Sequence, residues 1–339
     1  MLKTTVPFRF KKEVAPLIEA GADELYCGYL PSQWVRRYTN LEFERKGPGT
    51  NFTDLKELKT AVETAHKKHT PVYLTLNGLY VQQQYGLLHK ILDDLKAIDF
   101  DGYIVADLGL LLTLRKRGFK KQIHISTGGT VFNHQAVGFY RELGVSRIVL
   151  DRQVSLEAMR GLSAANPDIG FEVFILHTLC VYIDGFCTFL HMYGSKPLHD
   201  KKIPFKMNSG FDIFAMGDAC TLNYSVRARR TNGRRGSAKG ITPVFYKRLV
   251  DGIECGACAL YDIAQTKVTS VKIVGRQLAP EVRLKSVEFI SRCLGFLRKN
   301  REITRKDFIS RVQGQYAQTF APAKKGCKGN NCYHPEVIL

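Results

Sequence analysis

Nine cysteines in a chain of 339 residues are the side chains best suited to chemistry. Cys180 and Cys187 fall in LCVYIDGFCT, just after an apolar run. Cys220 lies in GDACTLN, Cys255 and Cys258 in ECGACALYD, and Cys327 and Cys332 in GCKGNNCYHPE. The count is odd and the chain is long enough not to need disulfide staples. In a reducing compartment such thiols are core residues, metal ligands or reactive groups. Thiolates converging from separate segments suit a cubane iron–sulfur cluster, with one cysteine per iron. Zinc also accepts four thiolates, but its structural sites favour two close pairs, and only Cys255 and Cys258 have the C-x₂-C spacing. Burial as free thiols is the plain alternative. Cys27 and Cys293 read as packed core.

Around the cysteines stand groups that could move protons or bind anions. His177, Asp151 and His124 are the acid–base candidates, histidine being the side chain that titrates nearest neutral pH. Arg152 and Arg276, with Asn77, are the substrate-binding candidates, because a guanidinium meets a carboxylate with two parallel hydrogen bonds. A protease would need an activated nucleophile or a metal-bound water. Neither a Gly-x-Ser-x-Gly elbow nor a His-Glu-x-x-His helix is present. The net charge of +19 steers anions, nucleic acid and charged metabolites alike. Part of it is the run VRARRTNGRRGSAKG at 226–240, where Arg227, Arg229, Arg230, Arg234, Arg235 and Lys239 could track phosphates. Tyr224 and Tyr246 flank that run and could stack on bases.

These residues are placed by a repeated alternation of short β-branched or aromatic runs with helical stripes. Strands are expected at 4–8, 24–27, 72–76, 102–105, 122–125, 147–150, 171–176 and 270–274. Helices are expected from the stripes Leu55–Leu58–Val62–Ala65, with Thr53 or Asp54 as cap, Leu87–Leu88–Ile91–Leu92–Leu95–Ile98, and Val282–Val287–Ile290–Leu294. Eight strands alternating with helices, and no glycine-rich dinucleotide loop after the first, predict an α/β fold, a (β/α)₈ TIM-like barrel. The expected organisation is one barrel domain over 1–310 and a C-terminal tail over 311–339 carrying a cysteine pair. A long cysteine-containing, basic insertion at 188–266 lies between strands 7 and 8. In such barrels the site forms at the C-terminal strand ends, where Cys27, Asn77, Asp107, Ser126, Thr127, Asp151, Arg152, His177, Cys180 and Arg276 all fall. No apolar run reaches the roughly 18–20 residues of a membrane span, and the N-terminus lacks a secretion signal. A cytoplasmic protein is expected.

The segment EVFILHTLCVYIDGFCTFL at 172–190 resembles the signature of the collagenase-like peptidase family U32. Glu172, Phe174, Cys180, Gly185 and Cys187 match it, while His177 stands for a glycine, Thr178 for a small residue and Leu190 for a serine. The Cys258 segment and SVKIVGR at 270–276 are similar to two further family stretches, with Val274 in place of a glutamate, and 122–156 resembles the region of strands five and six. The resemblance implies a [4Fe–4S] cluster held by Cys180, Cys187 and Cys258, with Cys220 by order, and Cys255 as a substitute for Cys258 or Cys220. It implies oxygen-independent hydroxylation of a small aromatic or quinone-precursor substrate, with prephenate as the hydroxyl donor. RNA base hydroxylation is the alternative, and a peptidase or non-catalytic partner subunit the third reading. Partners implied are an anionic small molecule, a homologous subunit in a heterodimer, or RNA. Cys327 and Cys332 could dock the tail, bind a separate metal or be exposed thiols.

Overall fold

A computed structural model describes residues 1–38, 49–180, 182–187, 253–320, 327 and 332–337. Eight strands form one closed, all-parallel barrel in chain order. They are β1 Lys3–Pro7, β2 Glu24–Gly28, β3 Val72–Leu76, β4 Gly102–Val105, β5 Gln122–Ile125, β6 Arg147–Val149, β7 Gly170–Leu176 and β8 Ser270–Ile273. Each matches a sequence expectation to within a residue or so at its ends.

The helices among the described residues are α1 Val14–Glu19, α2 Ser32–Val35, α3 Leu55–His66, α4 Tyr85–Leu95, α5 Leu108–Lys116, α6 His134–Glu142, α7 Leu156–Ala165, α8 Leu260–Ile263, α9 Pro280–Lys299 and α10 Arg305–Phe320. Their starts have local causes. Asp54 caps α3 by accepting the Glu57 N–H at 2.7 Å, Asp107 caps α5, Asn133 α6 and Ser155 α7. Each cap satisfies a donor that the helix itself leaves without a partner. Pro280 opens α9, where its missing N–H costs nothing. The expected boundary at 310/311 falls inside α10, whose Phe308, Val312 and Tyr316 are buried against the body.

Outward-facing strand residues such as Leu25, Leu74, Ile123, Ile148, Val173 and Val271 pack with the helices into the main core. The lumen is different, because its lower level is charged. Arg147 of β6 donates to Glu24 of β2 at 2.5 and 3.0 Å and to Glu172 of β7 at 3.2 Å. Lys272 of β8 donates to Glu172 at 2.6 Å. Since β6 and β2 are not neighbours, the Arg147–Glu24 pair spans the lumen. Thr5 and Ser270 hydroxyls donate at 3.0 Å to the Glu172 oxygen that Arg147 also meets. Burial opposes ionisation of Glu172, and the charges of Lys272 and Arg147 outweigh it and hold its pKa below the usual carboxylate value. Above this plug lie Tyr26, Tyr73 and Ile104 on one side, and Val149 and Phe174 on the other.

Candidate functional site at the barrel mouth

Two groups of side chains meet at the C-terminal ends of the strands. On the β2–β3–β8 side, Arg276 follows β8 through Gly275, which takes the left-handed φ of 105° that a side chain would resist. Arg283 of α9 donates to the Arg276 carbonyl at 2.9 Å and so fixes the turn. The Arg276 guanidinium, 5% exposed, donates to Asn51 Oδ1 at 2.7 Å and Thr75 Oγ1 at 3.1 Å. A Cβ on Gly28 would lie 2.0 Å from both Arg276 Nη1 and Asn51 Oδ1, so this approach requires glycine at the end of β2. Among the described residues, Asn51 Nδ2 and Asn77 Oδ1 are buried with no hydrogen-bond partner. A donor and an acceptor left unpaired in a protein interior are costly, which suits a site that a polar ligand completes.

On the β6–β7 side, the Cys180–Cys187 loop is lashed down. Arg152 Nε donates to the Thr178 carbonyl at 2.9 Å and its Nη1 to Asp184 at 2.7 Å, while its guanidinium carbon lies 4.0 Å from the Phe174 ring centroid. Asp151 accepts the Asp184 N–H at 3.1 Å, and Thr127 donates to Asp184 at 2.7 Å. Gly185 lies against the Thr127–Thr130 turn, where a Cβ would strike Thr130 Oγ1 at 1.8 Å. Tyr182 donates its N–H to Cys180 Sγ at 3.4 Å. Burial pushes the Cys180 thiol above its usual pKa. Glu254, which also accepts the Thr178 N–H, has its carboxyl pushed up by burial.

The expected site residues are therefore placed unequally. Arg276 and Asn77 stand at the mouth as anticipated. Arg152 is there too, but its guanidinium is taken up by the Cys180 loop, so it positions that loop instead of offering an open fork. Asp151 serves the same loop and is 1% exposed. His124 differs most from expectation. It is fully buried in the charged plug beneath Tyr73, with ring centroids 4.4 Å apart, and burial with the Arg147 charge drives its pKa well down. His177 turns away from the lumen, its Nε2 lying 2.7 Å from Ser286 Oγ on α9. Ser286 in turn donates to the Val282 carbonyl at 2.7 Å, so the imidazole Nε2–H is the donor to the serine. Burial lowers the His177 pKa to about 4. Neither histidine is open to a substrate at the mouth.

The thiols also divide. Cys180 lies within electrostatic reach of Cys187, whereas Cys258 lies within reach of Cys327 and Cys332. Cys180 and Cys187 follow β7, and Cys258 stands in the short turn just before α8. Cys220, Tyr224, Tyr246 and the basic run from Arg227 to Lys239 lie outside the described residues. Cys27 and Cys293 are buried in the core, as read. Among the described residues, no three Cys, His, Asp or Glu side chains form a finished metal cage. No helix among them is long and apolar enough to cross a membrane.

Three residues of the mouth were not anticipated. Asn51 sits far along the chain from Gly28, and only its place in the loop after β2 could have marked it. Glu254 was hidden beside the cysteines. Tyr333, from the C-terminal segment, packs on Val149 and Phe174, and its hydroxyl donates to the His177 carbonyl. Nothing in the sequence around Tyr333 announces that placement.

Comparison with known proteins is consistent with this geometry. The tRNA hydroxylation protein P of Helicobacter pylori (strain ATCC 700392 / 26695) is 31% identical over 176 residues, 52% of this chain and 39% of that protein. The 23S rRNA 5-hydroxycytidine C2501 synthase of Escherichia coli (strain K12) is 28% identical over 138 residues, 40% of this chain and 20% of that protein. A collagenase of Porphyromonas gingivalis (strain ATCC BAA-308 / W83) is 24% identical over 189 residues, 52% and 42% of the two chains. The matched region thus spans less than half the length of each of these relatives. The family model for peptidase family U32 matches residues 10–326, and this chain belongs to that family.

Proposed function

We propose that the chain is an enzyme that hydroxylates a base of structured RNA. The observation that carries this reading is the likeness to proteins named for tRNA and rRNA hydroxylation. It favours RNA over the small aromatic or quinone-precursor substrate that the sequence first suggested. The charge of +19 supports it, since phosphate contacts supply most of the affinity for nucleic acid.

In this proposal the mouth supplies binding and orientation. Arg276, held by Asn51 and Thr75, presents fixed positive charge, and the open Asn51 Nδ2 and Asn77 Oδ1 read a donor–acceptor edge such as a base carries. Glu254 is a carboxyl at the mouth whose ionised form burial disfavours. Arg152 and Asp151 hold the Cys180 loop and do not touch the base. An iron–sulfur cluster on Cys180 and Cys187 belongs to the same proposal. The other two ligands in this proposal are Cys258 and Cys220.

The test is direct. RNA from a strain lacking the gene, and from the same strain complemented, would be digested to nucleosides and compared by mass spectrometry. A hydroxylated nucleoside that disappears and returns supports the reading. An unchanged nucleoside profile, together with no salt-dependent RNA retention by the purified protein, overturns it.

A further inference from the structure

The barrel has a second opening at the end opposite its mouth. A cavity of about 460 Å³ lies at the N-terminal ends of β1, β5, β6 and β7, beside the loop that leads into β8. Arg147 of the charged plug, 7% exposed, lines it from β6, Lys3 from β1 and Lys267 from that loop. Among the described residues, no acidic side chain lines it. Arg298 of α9 donates to the carbonyl of Leu2, another lining residue, at 3.1 Å, which puts a further guanidinium beside the rim. Gly170 opens β7 at this wall. A Cβ there would lie 3.2 Å from Thr269 Oγ1 and 3.4 Å from Arg147 Cγ, so the missing side chain keeps the space clear.

The charges bordering this cavity do not cancel. Glu24 pairs with Lys3 and Arg147, and Glu172 with Arg147 and Lys272, so three cations share two carboxylates. Lys267 forms no ion pair among the described residues and adds a second unbalanced positive charge. Low-dielectric walls focus such an excess into a concavity and favour an anion there. The neutral lining groups have their own polarity. Ser146 and Thr269 give their hydroxyl protons to the carbonyls of Ile123 and Phe171, at 3.2 and 2.8 Å, which leaves oxygen lone pairs to accept. Gln122 places its Oε1 3.2 Å from His124 Nε2, and its amide NH₂ has no partner among the described residues.

We propose that this cavity binds a phosphorylated polyol, a small sugar phosphate in chemical class, with its phosphate on the cationic side and its hydroxyls on Ser146 and Thr269. The ammonium groups of Lys3 and Lys267 each carry three donors, and Lys3 spends one on Glu24, so both have donors left for phosphate oxygens. Arg147 stays paired with Glu24 and Glu172 and contributes charge in place of an open fork. A phosphate dianion matches the unbalanced charge. The space is large for phosphate alone and falls within the range of small-molecule sites. Hydroxyl oxygens that have spent their own protons suit a ligand rich in O–H donors, and no aromatic side chain lines the cavity among the described residues to favour a base. The site lies at the far end of the barrel from Arg276 and the Cys180 loop, so it does not rest on the RNA reading.

Calorimetric titration of the full chain with ribose 5-phosphate, inorganic phosphate and ribose, at fixed ionic strength, tests this. Ribose 5-phosphate should bind saturably and more tightly than either fragment. Lys267→Glu should weaken it by about tenfold or more, while Lys90→Glu, the same charge change on α4, should leave it unchanged. Ser146→Ala should weaken ribose 5-phosphate more than inorganic phosphate. In the wild type, ribose 5-phosphate should also shield Lys267 from an amine-acylating reagent, read by peptide mass spectrometry, which needs no variant to fold. The proposal is overturned if ribose 5-phosphate does not saturate the protein at millimolar concentration, if inorganic phosphate binds as tightly, or if the two charge variants respond alike. RNA retention that falls in Lys267→Glu, with no ribose 5-phosphate binding, would overturn it too and assign this face to nucleic acid.

Discussion

At the scale of the residue, the mouth shows side chains whose obvious chemistry is displaced by their surroundings. Arg152 looks like an anion receptor in sequence and acts as a strut. Arg152→Lys keeps the charge but loses the fork that reaches Thr178 and Asp184 together. A stability loss of about 1–3 kcal/mol is expected, with faster modification of Cys180 by a thiol reagent. Unchanged Cys180 reactivity would deny Arg152 its positioning role. His177 looks like a proton shuttle and is a buried donor to Ser286. Its folded pKa of about 4 lies below the ordinary 6.5, so folding favours the neutral ring. The stability it contributes is complete above pH 6.5 and is lost as pH falls toward 4, at up to about 1.4 kcal/mol per pH unit. Its φ of 65° is left-handed, a region asparagine tolerates. Denaturant titrations at pH 5 and pH 7 should therefore differ less for His177→Asn than for wild type.

At the scale of the element, strand ends and turns decide which residues face the mouth. The β2 end is closed by Gly28 because Arg276 and Asn51 occupy the space of its missing Cβ. Gly28→Ala should push the guanidinium off Asn51 and Thr75 and cost about 1–3 kcal/mol, the usual range for overpacking. A lowered Tm with RNA retention weakened more than in an Arg36→Ala control is expected; equal retention in the two variants would remove Arg276 from the binding surface. The strands and major helices were legible in the sequence because periodicity, caps and breakers act within a few residues. Asn51 and Glu254 were not, since a loop residue's partner is set by where the chain returns.

At the scale of the whole molecule, the barrel is plugged by charge where such lumens are usually filled by branched apolar side chains. Glu24 and Glu172 are held ionised against burial by Arg147 and Lys272. Their depressed pKa values mean that the stability they contribute is present above the ordinary carboxylate value of 4.5. It is lost as pH falls through the folded values, so cooperative acid unfolding well below pH 4.5 is expected. Glu172→Gln should weaken that acid transition yet destabilise at neutral pH by about 3–5 kcal/mol, because Lys272 stays buried without its carboxylate. Equilibrium denaturation at pH 7 measures the loss directly, and a change under about 1 kcal/mol would mean that the plug relaxes around the missing charge.

The sequence by itself determined the alternation of strands and helices, hence the parallel barrel, and the family signature through Cys180, Gly185 and Cys187. Local rules suffice for the alternation, side-chain period and capping acting within a few residues, and the signature is read from residue identities alone. Only the tertiary structure decided that Arg152 braces a loop, that His124 and His177 are sealed away, and that the C-terminal segment meets the barrel at Cys255. Those outcomes depend on contacts between segments far apart in the chain, such as Cys255 with Cys332 or Arg276 with Asn51. Closure of the barrel brings such segments together, and no spacing along the chain encodes which of them will meet.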